Sequence, residues 1–141
     1  MRNKMQQIIL LVLFGIYAIE DIRKKTISVQ YLPVFALAGV CIHLYLQDMT
    51  VIQMMFGMLL GLGILGVSWI TEESIGIGDG ILLIVSGIFL GGVDNFELLC
   101  ISLLYTALFS LLMLMFGICK KNQEIPFVPF LFLAYITMIF M

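Results

Sequence analysis

Two carboxylates, Asp21 and Asp79, are the residues of this sequence best suited to chemistry. Asp79 sits in Gly76-Ile77-Gly78-Asp79-Gly80, between two long apolar runs in a chain that otherwise avoids charge. An ionisable group inside a bilayer costs roughly 2.5–3.5 kcal/mol at the centre of a helix. Glycines at 76, 78 and 80 strip side chains from around the carboxyl, so that backbone or a substrate can approach it. Two carboxyls held a few ångströms apart do not readily both ionise; they share one proton and titrate as a unit. That state suits peptide hydrolysis: the ionised member takes a proton from water while the protonated member polarises the scissile carbonyl. The chemistry calls for no metal and no cofactor, and no serine, cysteine or histidine arrangement competes for the role.

The elements that would position this pair follow from composition. The 141 residues are 62% hydrophobic and 11% charged, against about one quarter charged in soluble chains. This excludes a water-soluble globule and leaves a single all-α membrane domain over 1–141. The net charge of −2 points away from nucleic acid, and the lipid bilayer is the expected surrounding. Hydropathy predicts six transmembrane helices, near Met5–Ile22, Tyr31–Leu46, Val51–Ile70, Ile75–Val93, Phe96–Cys119 and Ile125–Met141. The first follows Arg2 and Lys4 as a signal peptide would, but its end, Ala18-Ile19-Glu20-Asp21, lacks a small-x-small cleavage pattern, so it reads as a retained helix. Cys41, Cys100 and Cys119 form no CxxC pair and read as small buried hydrophobes.

Helix parity brings the carboxyls together. Asp21 ends the first helix and Asp79 begins the fourth, with one outward and one return crossing between them. Both therefore belong to one side of the membrane. Arg23, Lys24, Lys25, Lys120 and Lys121 fall in loops of that side, against Arg2 and Lys4 on the other. The excess marks the carboxylate side as cytoplasmic.

Plainer roles compete. Asp79 could cap the start of its helix, and Glu20 and Asp21 could make i,i+4 pairs with Lys24 and Lys25 at headgroup level. A second class of function also fits, a small membrane transporter or assembly subunit whose carboxylates bind protons or cations. Such a carrier would show an ion flux dependent on them; the absence of inverted-repeat symmetry weighs against it. His43, near the far end of the second helix, reads as a hydrogen-bonded membrane histidine. Gly57 and Gly61, and Gly87 and Gly91, have the small-xxx-small spacing of helix contacts.

Three ordered motifs carry a resemblance. Gly76-Ile77-Gly78-Asp79 fits the GxGD motif of intramembrane aspartyl proteases. Asp21-Ile22-Arg23-Lys24-Lys25-Thr26-Ile27 resembles the D-x-R-x-x-x-I segment of bacterial type IV prepilin peptidases, and Ile125-Pro126-Phe127-Val128-Pro129-Phe130 resembles that family's IPFGPF segment. Presenilin and signal peptide peptidase share GxGD, but their Tyr-Asp and Pro-Ala-Leu motifs do not occur here. The resemblance implies catalytic Asp21 and Asp79, and cleavage of the leader from prepilin or pseudopilin precursors at the cytoplasmic face of a bacterial inner membrane. It further implies that Pro126, Phe127 and Pro129 shape the wall where the leader docks. Glu72 and Glu73 are candidate contacts for a basic leader. The chain departs from the family pattern at Ser28-Val29, Gly80-Ile81 and Val128, positions that bear on leader specificity. It resembles the short, peptidase-only form without the cysteine-rich cytoplasmic region of the long one.

Overall fold

The computed structural model describes residues 4–71, 76–118 and 124–141. Among these the fold is entirely helical: α1 (Lys4–Lys24), a 3-10 turn (Val29–Tyr31), α2 (Leu32–Leu46), α3 (Val51–Ile70), α4 (Ile77–Met115) and α5 (Val128–Phe140). Five helices replace the expected six. The fourth and fifth expected spans form one element, α4, bent inside at Gly91, where φ is 77° and ψ −177°. A positive φ of this kind is open to glycine and closed to residues with a Cβ.

The bend reverses the chain, and side chains show it. The Asn95 amide donates to the carbonyl of Leu83 at 3.0 Å, and the Ser86 hydroxyl donates to the Asn95 side-chain carbonyl at 2.7 Å. In a straight helix, residues twelve apart would be separated by about 18 Å. Asn95 also donates to the carbonyl of Gly57 at 3.0 Å, pinning the turn to α3. The expected spans left Asp94-Asn95 as their connection; both residues instead lie within α4, where the Asn95 side chain links its two limbs.

Local chemistry sets the other ends. Thr50 and Gln53 form a reciprocal capping box at the start of α3, which satisfies two otherwise orphaned amides. Gln47 closes α2 in the left-handed conformation. Pro33 and Pro129 stand in the first turns of α2 and α5, where a missing N–H leaves no helical bond unmade.

The core joins α1, α4 and α5. Leu10, Leu13 and Phe14 of α1 meet Leu82, Phe89, Leu131 and Tyr135, all essentially without exposure. Phe14 and Tyr135 pack edge to face with centroids 5.3 Å apart. On α3, glycine rather than bulk makes the contact. A Cβ on Gly57 would lie 2.2 Å from the Gly87 carbonyl oxygen, and one on Gly61 2.7 Å from that of Gly80. The small-xxx-small residues thus let two backbones touch, except that Gly91 serves the bend.

Outward faces are apolar. Ile52, Met55, Phe56 and Leu59 on α3, with Ile16 and Ile19 on α1, are more than half exposed, a pattern suited to lipid and untenable in water. Cys41 and Cys100 are also exposed, which corrects their reading as buried residues; Cys119 lies outside the described residues. Four segments, Lys4–Lys24, Val29–Leu46, Val51–Ile70 and Ile77–Met115, are long and apolar enough to cross a membrane. With 13 residues, α5 reaches about 20 Å, short of a full hydrocarbon core of about 30 Å.

Candidate active site

At the end of the molecule where α1 finishes and α4 begins, a cavity of about 330 Å³ is lined by Asp21, Asp79, Lys25 and Gly76. Its remaining wall is the segment Glu124, Ile125, Pro126 and Phe127 leading into α5. The two carboxyls, from segments far apart in sequence, line the same space.

Asp21 is 7% exposed. The amide of Val128, first residue of α5, donates to its Oδ2 at 3.1 Å across 107 positions of sequence. An unpaired helix-terminal N–H meeting a carboxylate is a favourable encounter, and here it fixes how the carboxyl is turned. Asp79 is the third residue of α4, not its cap; Gly76 holds the cap position without a side-chain bond. The Asp79 amide donates to the Gly76 carbonyl at 3.1 Å, which folds the glycine over the aspartate.

The three glycines have three separate duties. A Cβ on Gly76 would lie 2.9 Å from Asp79 Oδ2, so this position bears directly on the carboxyl. One on Gly78 would stand 2.7 Å from the Cβ of Ile27. The isoleucine of the first motif therefore packs on the second glycine of the other, joining the two segments. One on Gly80 would meet Leu65 at 2.7 Å, which makes that glycine a contact with α3.

Glu20 turns to a different task. It accepts from the amide of Ser28 at 3.2 Å, from the Ser28 hydroxyl, and from Lys24 at 3.4 Å. The i,i+4 pairing foreseen for Glu20 and Lys24 is present, whereas Lys25 lines the aspartate cavity. Arg23 lies in a separate groove with Glu20 and Lys24. Pro126 and Phe127 line the cavity, while Pro129, in the first turn of α5, does not. Glu72 and Glu73 lie outside the described residues.

Three contributors escaped the sequence reading. Glu124 adjoins the Ile125-Pro126-Phe127 motif, so its position was a usable signal. Lys25 was read only as an interfacial charge. The Val128 amide carries no signal at all, because every residue but proline has one. Among the described residues no group of three His, Cys, Asp or Glu side chains is arranged to hold a metal ion.

A larger cavity, about 660 Å³, opens at the opposite end near Gln6, Asp48 and Gly91. Size does not make it the better site. Its Asp48 is already engaged: His43 Nδ1 lies 2.7 Å from Oδ1 and Gln6 donates to Oδ2 at 2.9 Å. His43 is thus the hydrogen-bonded histidine expected, and Gln6 stands about 22 Å along α1 from Asp21.

Four apolar spans around paired carboxyls at one end describe a helical membrane protein with a candidate acid–base site. Residues 8–141 match the model of the type IV leader peptidase family, and the chain belongs to that family. It is accordingly a membrane-embedded peptidase. No curated protein and no solved structure matches the chain.

Proposed function

We propose that the protein is an aspartyl endopeptidase that removes the leader from type IV prepilin-like precursors at the cytoplasmic face of a bacterial inner membrane, with Asp21 and Asp79 as its catalytic pair. The observation that carries this reading is the shared cavity: two carboxyls from distant segments line one space closed by the segment entering α5.

The mechanism needs one proton between the pair. The ionised carboxyl accepts a proton from water as the water oxygen bonds to the scissile carbonyl carbon. The other carboxyl gives its proton to the carbonyl oxygen, forming a neutral tetrahedral diol. Return of a proton to the amide nitrogen lets the carbon–nitrogen bond break, releasing an amine and a carboxylic acid and restoring the pair. The Val128 amide holds Asp21 in place. Gly76 leaves room for an extended backbone beside Asp79, and Pro126 and Phe127 supply a wall against which a leader can lie.

Charge counts in the loops favour the cytoplasmic orientation. A precursor whose apolar helix enters the bilayer, with its leader in the cytosol, presents its scissile bond at this depth. Co-expression with candidate precursors, read as a size shift and mapped by the new N-terminus, tests the assignment. Cleavage at the junction of leader and apolar segment is expected; intact precursor with every candidate, alongside a carboxylate-dependent ion flux, would transfer the protein to the carrier class.

A further inference from the structure

A second groove lies on the outer flank of α1, away from the aspartate cavity. It has a volume of about 520 Å³ and runs between α1 and the start of α2. Its charged end carries Arg23 and Lys24, both exposed. Its apolar length is walled by Leu13, Ile16 and Ile19 on one side and Phe35 on the other. From Leu13 to Arg23 the helix rises about 15 Å, so the groove has a cationic head and an apolar body in line with the bilayer normal. We propose that the α1–α2 groove is a specific site for one anionic phospholipid, with its phosphate at Arg23 and Lys24 and an acyl chain along Ile16, Ile19 and Phe35.

The charges support this occupant over neutral lipid. Glu20 at the groove is turned to Ser28 and shares only Lys24, at 3.4 Å. Arg23 has no ion-pair or hydrogen-bond partner among the described residues, leaving its planar donor fork free for a phosphate oxygen pair. Tyr31, 63% exposed, stands at the same end, where an amphipathic ring at headgroup depth is at home. Tyr17 is not available to the lipid head, because its hydroxyl donates to the Ser28 carbonyl at 3.1 Å. The basic residues also complement the carbonyl end of α1, but that role requires neither the groove nor its apolar length. Basic pockets at helix ends attract anionic headgroups by about a factor of five per cationic residue.

The test counts lipids retained by the purified full chain, by native mass spectrometry in detergent. Phosphatidylglycerol and phosphatidylcholine are compared at equal mole fraction, with glycerol 3-phosphate as a soluble competitor. One phosphatidylglycerol per chain is expected, not displaced by the soluble phosphate and not matched by phosphatidylcholine. Arg23→Gln should weaken retention roughly fivefold, and Arg23→Lys should fall between that variant and wild type, keeping the charge without the planar fork. Ile16→Trp, at a lipid-facing position that tolerates bulk, should also reduce retention by filling the chain's path without touching a charge. Equal retention of both lipids, or retention unchanged in Arg23→Gln and Ile16→Trp, would overturn the site. Displacement by glycerol 3-phosphate would reduce it to an anion contact, which also contradicts the proposal.

Discussion

The two ends of the molecule treat a carboxylate in opposite ways: Asp48 is partly open to the surface, whereas Asp21 is buried. At the Gln6 end, Asp48 lies between His43 and Gln6, both oxygens engaged at 2.7 and 2.9 Å. Burial alone would raise its pKa, but those hydrogen bonds outweigh it and hold the group below its ordinary 3.8. At the end where α5 begins, Asp21 is held by the backbone amides of Val128 and Phe127 and lines an open cavity with a second carboxylate. The first arrangement satisfies a charge and ties the start of α1 to the end of α2. The second brings two like groups together beside space for a substrate, an arrangement that stability alone does not call for.

The largest expected effect comes from breaking the second arrangement. Asp21→Asn and Asp79→Asn should each lower cleavage by roughly a thousandfold or more, with expression and membrane insertion retained. Asp48→Asn should cleave at the wild-type rate. A matching loss in Asp48→Asn, at equal protein amounts, would erase the distinction between the ends.

Next is the scaffold that holds both ends in register. Gly57→Ala would drive a methyl group to 2.2 Å from the Gly87 carbonyl oxygen, and overpacking of this kind costs about 1–3 kcal/mol. Gly63, with nothing within 4 Å of an added Cβ, is the matched control on the same helix. Thermal unfolding in detergent should separate the two; equal midpoints would remove close backbone contact as the reason for the glycine.

A smaller effect concerns acid. Because folding lowers the Asp48 pKa, its contribution to stability is complete above 3.8, the unfolded value, and fades as pH falls through the lower folded one. Asp48→Asn should therefore cost about 1 kcal/mol near neutrality and lose its disadvantage under acid. Unfolding midpoints across that range check this, and a deficit that persists at the lowest pH would contradict it.

The smallest effect is electrostatic. We expect basic leaders to be drawn by the acids around the site, Glu124 on the cavity wall and Glu72 and Glu73 nearby in sequence. Reversal by Glu124→Lys, or by Glu72→Lys with Glu73→Lys, should slow cleavage of a basic leader no more than about fivefold at low salt and vanish at high salt. Rates insensitive to leader charge at every ionic strength would end that idea and leave the aspartate pair untouched.

Much of this contrast was readable in advance. Parity placed Asp21 and Asp79 at one end because the two crossings between them, α2 and α3, are long apolar runs; the reversal at Gly91 lies beyond Asp79 and leaves that relation untouched. Gly57, Gly61 and Gly87 were legible as contacts from spacing alone. The bend was not: nothing in Leu90-Gly91-Gly92 separates a helix-packing glycine from one at φ 77° until Asn95 is seen bonding to Leu83. Backbone donors such as the Val128 amide stay hidden for the same reason, since their use depends on where the chain brings them. Cysteines misled because a lipid-facing position and a buried one accept the same small apolar side chain.

The central claim is that the two aspartates act as one unit, and a double-mutant cycle tests it most directly. Cleavage of a single precursor under single-turnover conditions should be compared for wild type, Asp21→Asn, Asp79→Asn and the double variant. If one proton is shared by the pair, removing either carboxyl removes the mechanism, and the double variant should be no slower than the singles. Independent, multiplicative losses, or wild-type cleavage in either single variant, would contradict the account.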